Sequence, residues 1–489
     1  MPPVAELVLP ALHWDPVTGY EGVGTLVDRA LALGVGGFVV EGGPEAESRE
    51  LIKDIRGRSR IPLLIAAGVA RGAGQRFGGT TGLPPLPAIA ELGDSNLVAR
   101  AAKLTAREVR PIGVNWGFAP CCDVREDALN AVTGLQAIGD NPATVSAVAA
   151  AWIEACQHEG MLATASHFPG VGRVAADDRE ETPVVEVPRS SLFTRELVPF
   201  EAAIASRVAS MLVAHVAYPT LDASDSPATF STTMLRYLLR ERHGFEGLVA
   251  TSLLRDRAPL DPLEEADLAV RALDAGCDLL LSPTHLDALI VALEQSVRDG
   301  PLYEDRIDQS RRRRLKWAQW AAPQTDYRKV SASDVAWALQ LAERVIHPLR
   351  GSAPQMGKAI EVIIIDDDAS VPALHPRTVL LEALGALDVV ARRVEVPSAA
   401  SRAPVFIALH ARMDGERADF GLHDATREML RTAQETSRAS GREATVLLFA
   451  PPALADPALD AANLICCWSG DRAMQEATAR WLVRGGGAG

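Results

Sequence analysis

The sequence predicts an α/β protein: a (β/α)8 barrel of the TIM type, followed by a smaller α/β sandwich domain. Two observations support this prediction. Eight short apolar runs recur through the first 283 residues, and amphipathic helical patterns separate them. The runs lack strict alternation of apolar and polar residues, which is typical of parallel strands buried on both faces. Eight such units predict a barrel, with a doubly wound open sheet as the competing architecture.

The eight predicted strands lie within the apolar runs at residues 7–12, 36–40, 61–67, 112–120, 161–168, 210–219, 247–252 and 277–283. Helical periodicity fills the intervals between them, for example at 96–110 and 142–160. Pro142 directly after Asn141 is typical of the first turn of a helix. The helix predicted at 304–321 would be the last of the barrel.

A second alternating block begins at residue 359, after a predicted linker and a helix at 335–347. We therefore predict three segments: a barrel over 1–321, a linker and helix over 322–357, and a C-terminal α/β domain over 358–489. The strands of that domain are predicted in the runs at 359–368, 404–412, 444–452 and 464–470. The three aspartates 366–368 indicate a polar turn at a strand end, since no glycine-rich phosphate loop follows them.

The net charge is −14 and the isoelectric point is about 5.3. This acidic balance argues against nucleic acid or an anionic membrane as a partner. The basic run from Arg311 to Arg314 is interpreted as a solvated helix face. The sequence has no signal-peptide pattern and no run of 18 apolar residues, so we expect a cytoplasmic protein.

Six cysteines include two adjacent pairs, Cys121–Cys122 and Cys466–Cys467, which lack the spacing of a CxxC metal site. We interpret them as buried thiols in a reducing compartment. No cofactor or metal is predicted, and the oligomeric state is left open.

Several motifs, in order along the chain, identify a family. They are "LTAREVRPIGVNWGFAPCCDV", "SHFPGVG", "MLVAHVAYPTLD", "SPATFSTTMLRYLLRERHGFEGLVATS" and "ALDAGCDLLLSP". Together, over about residues 7–320, they resemble glycoside hydrolase family three, and its β-N-acetylhexosaminidase-like branch most of all. The resemblance implies retaining hydrolysis, in which an aspartate attacks the anomeric carbon and a histidine paired with an aspartate is the acid/base.

The catalytic positions implied by the resemblance are substituted. The nucleophile position after strand seven holds Ser252 instead of aspartate. The acid/base position in the loop after strand five holds Arg179 instead of histidine, while its partner Asp177 is retained. A serine hydroxyl carries no negative charge, and arginine stays protonated near neutrality.

The sugar-binding positions implied by the resemblance are partly retained. Gly68 and Ala70 replace two acidic residues, Ser166 replaces a lysine, Val171 a histidine, and Gln136 an arginine. The retained residues are Arg76, His167 and His215.

We interpret the chain as a catalytically impaired homologue whose ligand is a carbohydrate or a partner protein. A second interpretation is an active glycosidase with relocated carboxylates, among which Asp256, Glu264 and Glu265 are candidates. A third is a non-catalytic scaffold. His167, His215 and Asp177 could also form a metal site, but hydrogen bonding left from an ancestral pocket is the favoured role for them.

Overall fold

The computed structural model describes residues 3–126, 133–174, 182–254, 262–300, 302–324, 326–352, 356–367, 376–411, 421–455, 459 and 461–486. The chain forms two compact units. The first comprises the described residues of Met1–Thr80, Asp94–Glu126 and Gln136–Val330. The second comprises those of Thr81–Gly93, Asp127–Leu135 and Ser331–Gly489.

Strands and helices alternate through both units. The strands are β1 Val8–Leu9, β2 Ala11–Leu12, β3 Gly37–Val40, β4 Gly43–Pro44, β5 Leu64–Ala67, β6 Phe77–Gly78, β7 Trp116–Gly117, β8 Thr164–Phe168, β9 Ser210–Val213, β10 Leu248–Thr251, β11 Leu280–Leu281, β12 His347–Arg350, β13 Ala359–Asp366, β14 Val390–Arg393, β15 Val405–His410, β16 Thr445–Phe449 and β17 Asn463–Cys466.

The helices are α1 Gly24–Leu33, α2 Glu45–Arg58, α3 Leu86–Ala90, α4 Ser95–Ile112, α5 Pro142–His158, α6 Arg189–Ser191, α7 Val198–Ala205, α8 Pro262–Ala275, α9 Leu286–Asp299, α10 Glu304–Trp320, α11 Ala332–Arg344, α12 Val379–Gly385, α13 Asp424–Ala439 and α14 Arg472–Val483. Two π-helical segments cover Leu192–Glu196 and Thr233–Arg242. Short 3-10 turns cover Val4–Leu7, Glu21–Val23, Ala73–Gln75, Ala228–Phe230 and Pro452–Leu454.

The first unit is built from parallel strands. One sheet has the order β2-β3-β5-β7, a second has the order β10-β9-β8, and β1 pairs with β11. Isolated parallel bridges join Trp116 to Leu162 and Ala250 to Leu279. Each of the eight apolar runs predicted to be a strand in this unit contains at least one, and the run 7–12 contains both β1 and β2, which confirms the alternating α/β composition of the unit.

The basic run on α10 is not a solvated face, contrary to the sequence-based interpretation. Arg314 is 1% exposed, and its guanidinium donates to Glu6 Oε2 at 2.6 Å and to the Pro62 carbonyl at 2.7 Å. Arg313 donates to the buried carboxylate of Asp278 at 3.0 Å. The run therefore joins the last helix of the unit to its strands through hydrogen bonds that charged groups make strong.

The second unit contains one sheet of order β12-β17-β16-β15-β13-β14. Its strands are parallel except β12, which pairs antiparallel with β17. Apolar side chains pack on both faces, for example Phe406 on one and Ile407 on the other, as expected for strands within a parallel sheet. The four strands predicted here are confirmed as β13, β15, β16 and β17, whereas β12 and β14 were not predicted.

The helix predicted at 335–347 begins earlier, at Ala332. Ser331 and Asp334 form a reciprocal capping box, in which each side chain accepts from the other residue's backbone N–H. This capping fixes the start of α11 within the segment that the sequence analysis assigned to a linker.

The six cysteines are buried and free, which confirms their interpretation as buried thiols. Among the described residues, no helix is both long enough and apolar enough to cross a membrane.

Candidate functional site

The loop after β8 is organised by a carboxylate that the sequence analysis did not single out. Asp123, whose side chain is 0% exposed, accepts from the backbone N–H of Val171 at 2.9 Å and of His167 at 3.2 Å. Its other oxygen lies 2.8 Å from His167 Nδ1 and accepts from the Cys121 thiol at 3.1 Å. One buried side chain therefore fixes both ends of the turn from 167 to 171.

Asp123 stays ionised despite its burial. Burial acts to raise the pKa of this carboxyl group, but the attraction of His167 and the hydrogen bonds that it accepts outweigh burial and lower the pKa below its ordinary value. The only available signal in the sequence was its place directly after the fourth predicted strand, because side chains at the carboxyl ends of parallel strands share one edge.

Two glycines allow the chain to make this turn. A Cβ atom on Gly172 would lie 1.9 Å from the Val124 carbonyl oxygen, and Gly170 has a φ of +120° beside Glu196. The Tyr218 hydroxyl donates to the Gly170 carbonyl. These contacts fix the described turn from 167 to 172, whatever chemistry its side chains can perform.

Glu196, which is 1% exposed, anchors the next residues of the same loop. It accepts from Arg173 at 2.6 Å and from Arg195 at 3.0 Å. Ser166, at the lysine position, is 6% exposed, and its carbonyl accepts from the backbone N–H of Cys122 at 2.5 Å. Ser166 therefore pairs the strand with its neighbour.

Ser252, at the nucleophile position, lies just beyond the end of β10 and is half-buried. Its hydroxyl donates to the Val213 carbonyl at 2.8 Å, and its backbone N–H reaches the same oxygen at 3.2 Å. A hydroxyl that donates its proton to a carbonyl is hydrogen-bonded to a group too weakly basic to remove that proton. The geometry therefore gives Ser252 a structural hydrogen bond, and no contact given for its hydroxyl within the described residues joins it to an activating base.

Arg76 and Gly68, two residues of the predicted substrate-binding set, lie next to each other. A Cβ atom on Gly68 would lie 3.5 Å from both Nε and one terminal nitrogen of the Arg76 guanidinium. The space over Gly68 is therefore next to a cationic group. An acidic side chain at position 68 would meet that cation directly.

His215 and Gln136 are the remaining predicted substrate-binding residues. His215 is half-buried after β9, and its ring packs edge-on against Phe230 with 4.9 Å between the centroids. Gln136 is exposed. The contacts described for these two residues do not join them to the cluster of Asp123 and His167.

The sequence model of the glycosyl hydrolase family 3 N-terminal domain matches residues 35–316. This chain belongs to glycosyl hydrolase family 3. A β-N-acetylglucosaminidase/β-glucosidase from Cellulomonas fimi is 30% identical over 290 residues, which are 57% of this chain and 51% of that protein. The chain thus spans about half the length of that relative.

A β-hexosaminidase from Glaesserella parasuis serovar 5 is 30% identical over 301 residues, covering 61% of this chain and 87% of that protein. Such relatives place this family 3 chain in the β-N-acetylhexosaminidase-like branch. A family 3 β-N-acetylglucosaminidase from Paenibacillus sp. str. FPU-7 superposes with a TM-score of 0.83 at 23% identity, over 99% of this chain and 96% of that structure. At that identity the likeness establishes the fold alone.

Three of the predicted site residues lie outside the described residues. They are Asp177 and Arg179 of the acid/base loop and Asp256, the first candidate for a relocated nucleophile. Their roles therefore stay predictions.

Glu265, a candidate relocated carboxylate in the sequence analysis, lies in the first turn of α8. It is 1% exposed on α8, and its two carboxylate oxygens accept from the backbone N–H groups of Thr284 and His285, each at 2.7 Å. It fixes the turn that leads into α9, so the structure assigns it a structural role in this family 3 fold. Its neighbour Glu264 is exposed.

The potential metal ligands that the structure brings together differ from the set considered from sequence. Within the described residues, the Sγ of Cys121, a carboxylate oxygen of Asp123 and a ring nitrogen of His167 all lie within 4.8 Å of one another. His215 is not part of this cluster. The cluster was not predicted from sequence because His167 lies 44 positions from Asp123, at the end of a different strand.

Proposed function

We propose that the first unit is a closed (β/α)8 barrel and the second an α/β sandwich domain, with the limits 1–321, 322–357 and 358–489 predicted from sequence. The pairing of β1 with β11 and the bridges Trp116–Leu162 and Ala250–Leu279 support a continuous circuit of parallel neighbours. A buried apolar cluster that takes residues from successive strands, among them Leu9, Trp116 and Leu281, supports the same architecture.

We infer that this family 3 chain is a catalytically impaired homologue that binds a carbohydrate. The observation that carries the inference is the hydrogen bond of Ser252 to the Val213 carbonyl at 2.8 Å. Retaining hydrolysis needs an anion at that position, first to stabilise positive charge on the sugar ring and then to form a bond to it. A neutral hydroxyl that donates its proton to a carbonyl meets neither need.

The ligand we propose is a sugar with a β-linked N-acetylglucosamine or glucose unit. The names of the relatives support these two sugars, and the retained pocket residues support binding. Arg76 supplies a cationic donor beside Gly68, and His167 is held in one orientation by Asp123. Hydrogen-bond donors with fixed directions are the groups that recognise sugar hydroxyls.

We also propose the cytoplasm as the location. The six free, buried thiols support a reducing compartment.

The test is to measure hydrolysis and binding on the same purified protein. Aryl β-N-acetylglucosaminide and aryl β-glucoside should be turned over at rates near the uncatalysed background, while calorimetry detects binding of N-acetylglucosamine or glucose. Binding should weaken in Arg76→Ala and persist in His158→Gln, a change to an exposed side chain at the end of α5.

Turnover that survives Ser252→Ala but disappears in Asp256→Ala would reject impairment in favour of a relocated nucleophile. Absence of both turnover and sugar binding would reject the carbohydrate ligand and leave the scaffold interpretation.

A further inference from the structure

The cluster of Cys121, Asp123 and His167 has the composition of a transition-metal site. Asp123 Oδ2 lies 3.1 Å from Cys121 Sγ and 2.8 Å from His167 Nδ1. All three ligand atoms lie within 4.8 Å of one another. A tetrahedral metal with bonds of about 2.0–2.3 Å needs ligand atoms about 3.3–3.6 Å apart, so side-chain shifts of roughly 0.5 Å would bring these atoms to that spacing.

We propose that Cys121, Asp123 and His167 bind one Zn²⁺ ion. Thiolate, imidazole and carboxylate are the ligands that zinc takes in proteins, and cysteine and histidine together favour zinc over magnesium or calcium. Three protein ligands leave a fourth position, which water or another small ligand completes. The site was not predicted from sequence, and it does not depend on whether the chain binds or hydrolyses a sugar.

The charge of the occupied site suits its burial. Cys121 and Asp123 are 3% and 0% exposed. A thiolate and a carboxylate bring two negative charges, a neutral histidine brings none, and Zn²⁺ brings two positive charges. The complex is therefore neutral overall, so that it avoids the large penalty of an uncompensated buried charge.

Protons occupy the ligand positions when the metal is absent. The Cys121 thiol donates its proton to Asp123, and the same carboxylate oxygen is hydrogen-bonded to His167 Nδ1. Binding of Zn²⁺ releases the thiol proton to solvent and moves the histidine proton to Nε2, so that sulfur and Nδ1 each donate an electron pair to the ion. Proton release therefore accompanies metal binding.

The ligands are held in place before the metal arrives. The second oxygen of Asp123 accepts two backbone N–H groups, those of Val171 and His167. Hydrogen bonds of this kind orient metal ligands and raise affinity. The His167 side chain is 21% exposed, which gives an ion a route to the cluster from that side.

The experiment is a titration of the metal-free chain with Zn²⁺ in competition with a chromophoric chelator. We expect one equivalent to bind. Cys121→Val keeps the size and apolar character of the buried side chain and should weaken that site at least about 100-fold, beyond the effect of losing an outer hydrogen bond. Cys122→Ala is the matched control, since it removes the adjacent buried thiol outside the cluster, and should retain the site.

Co²⁺ gives a second readout that is independent of affinity. The Co²⁺-loaded chain should show a near-ultraviolet thiolate-to-cobalt absorption that Cys121→Val abolishes and Cys122→Ala keeps. Circular dichroism of each variant verifies that it is folded, and His167→Gln provides a second ligand change if Cys121→Val is not. Equal zinc affinity in the unchanged chain and Cys121→Val, or no bound equivalent in the unchanged chain, would overturn the proposal.

Discussion

His167 Nδ1 lies 2.8 Å from the carboxylate of Asp123, a side chain with no solvent exposure. This pair joins the loop that follows β7 to the last residues of β8, two neighbouring strand segments of the first unit. The same carboxylate accepts the Val171 N–H, so the backbone of the turn and the orientation of the histidine depend on one buried group. The loop can therefore keep its shape although residues that the family uses for chemistry have changed.

Restoring the two substituted catalytic positions should restore hydrolysis. We expect Ser252→Asp combined with Arg179→His to hydrolyse aryl β-N-acetylglucosaminide at least about tenfold faster than the unchanged chain, because nucleophile and acid/base act cooperatively. Initial rates measure the effect. The control combines Ser252→Asn with Arg179→His, which matches the size of aspartate without its charge. Equal rates in the two double variants would contradict an attacking carboxylate at position 252.

Adding a methyl group to Gly172 should disrupt the loop. A Cβ atom there would lie 1.9 Å from the Val124 carbonyl oxygen, so that backbone must move. We expect Gly172→Ala to lower the free energy of unfolding by about 3 kcal/mol. Urea denaturation measures the change.

Gly57 provides the matched control for this substitution. It is exposed on α2, and its Cβ would meet nothing within 4 Å. Because alanine favours helix, Gly57→Ala should raise stability by about 0.5–1 kcal/mol. A loss at position 172 no greater than 0.5 kcal/mol would show that the loop adapts easily.

Neutralising Glu265 should destabilise the turn before α9. Glutamine keeps one acceptor oxygen but turns an amide N–H₂ towards the second backbone N–H, either that of Thr284 or that of His285. We expect Glu265→Gln to lower the free energy of unfolding by about 2 kcal/mol, and the exposed neighbour Glu264→Gln to change it by less than about 0.5 kcal/mol. Thermal unfolding of the two variants compares them, and similar shifts would contradict the structural role of Glu265.

His410 should make the second unit sensitive to acid. This histidine is 0% exposed and stacks on Phe449 with 4.6 Å between the ring centroids. Burial, followed by the nearby charge of Arg377, lowers its pKa from 6.5 to about 3. The unfolded chain therefore binds a proton below about pH 6.5 that the folded chain does not, and stability falls as the pH falls from 6.5 towards 3.

The size of this acid effect follows from the lowered pKa of His410. Between pH 7.5 and 5.5 we expect the opening free energy of the β15 amides, measured by hydrogen exchange, to fall by about 1.4 kcal/mol because of His410. His410→Leu should remove that part of the decrease. The exposed variant His158→Gln should retain it, and an unchanged pH dependence in His410→Leu would contradict the assignment.

The strands could be predicted from sequence because burial on both faces leaves continuous apolar runs. The edge strands β12 and β14 could not, since His347–Arg350 and Val390–Arg393 are largely polar and partly exposed. Arg314 was misjudged for a related reason. A basic run has the same composition whether its guanidiniums face solvent or a buried partner, and Glu6 lies 308 positions away.

The candidate site, too, could be predicted only in part from the sequence. The positions of Ser252, Arg76 and His167 followed from motifs, which occupy fixed places on a known fold. The hydrogen bonds of Asp123, Cys121 and Glu265 depend on distances between segments that are remote in sequence, and a motif does not contain those distances. The sequence could thus indicate which catalytic residues were replaced. It could not indicate which side chains fix the backbone of the loops around the site.

The parallel pairing of Val8 with Leu280 has a consequence for synthesis of the protein. On the ribosome, β1 is made before its partner β11, which emerges only after some 270 further residues. At about 5–20 residues per second this interval lasts on the order of 15–55 s. Throughout that time the first strand exposes an unpaired edge, so we expect the nascent chain to need chaperone protection until β11 leaves the exit tunnel.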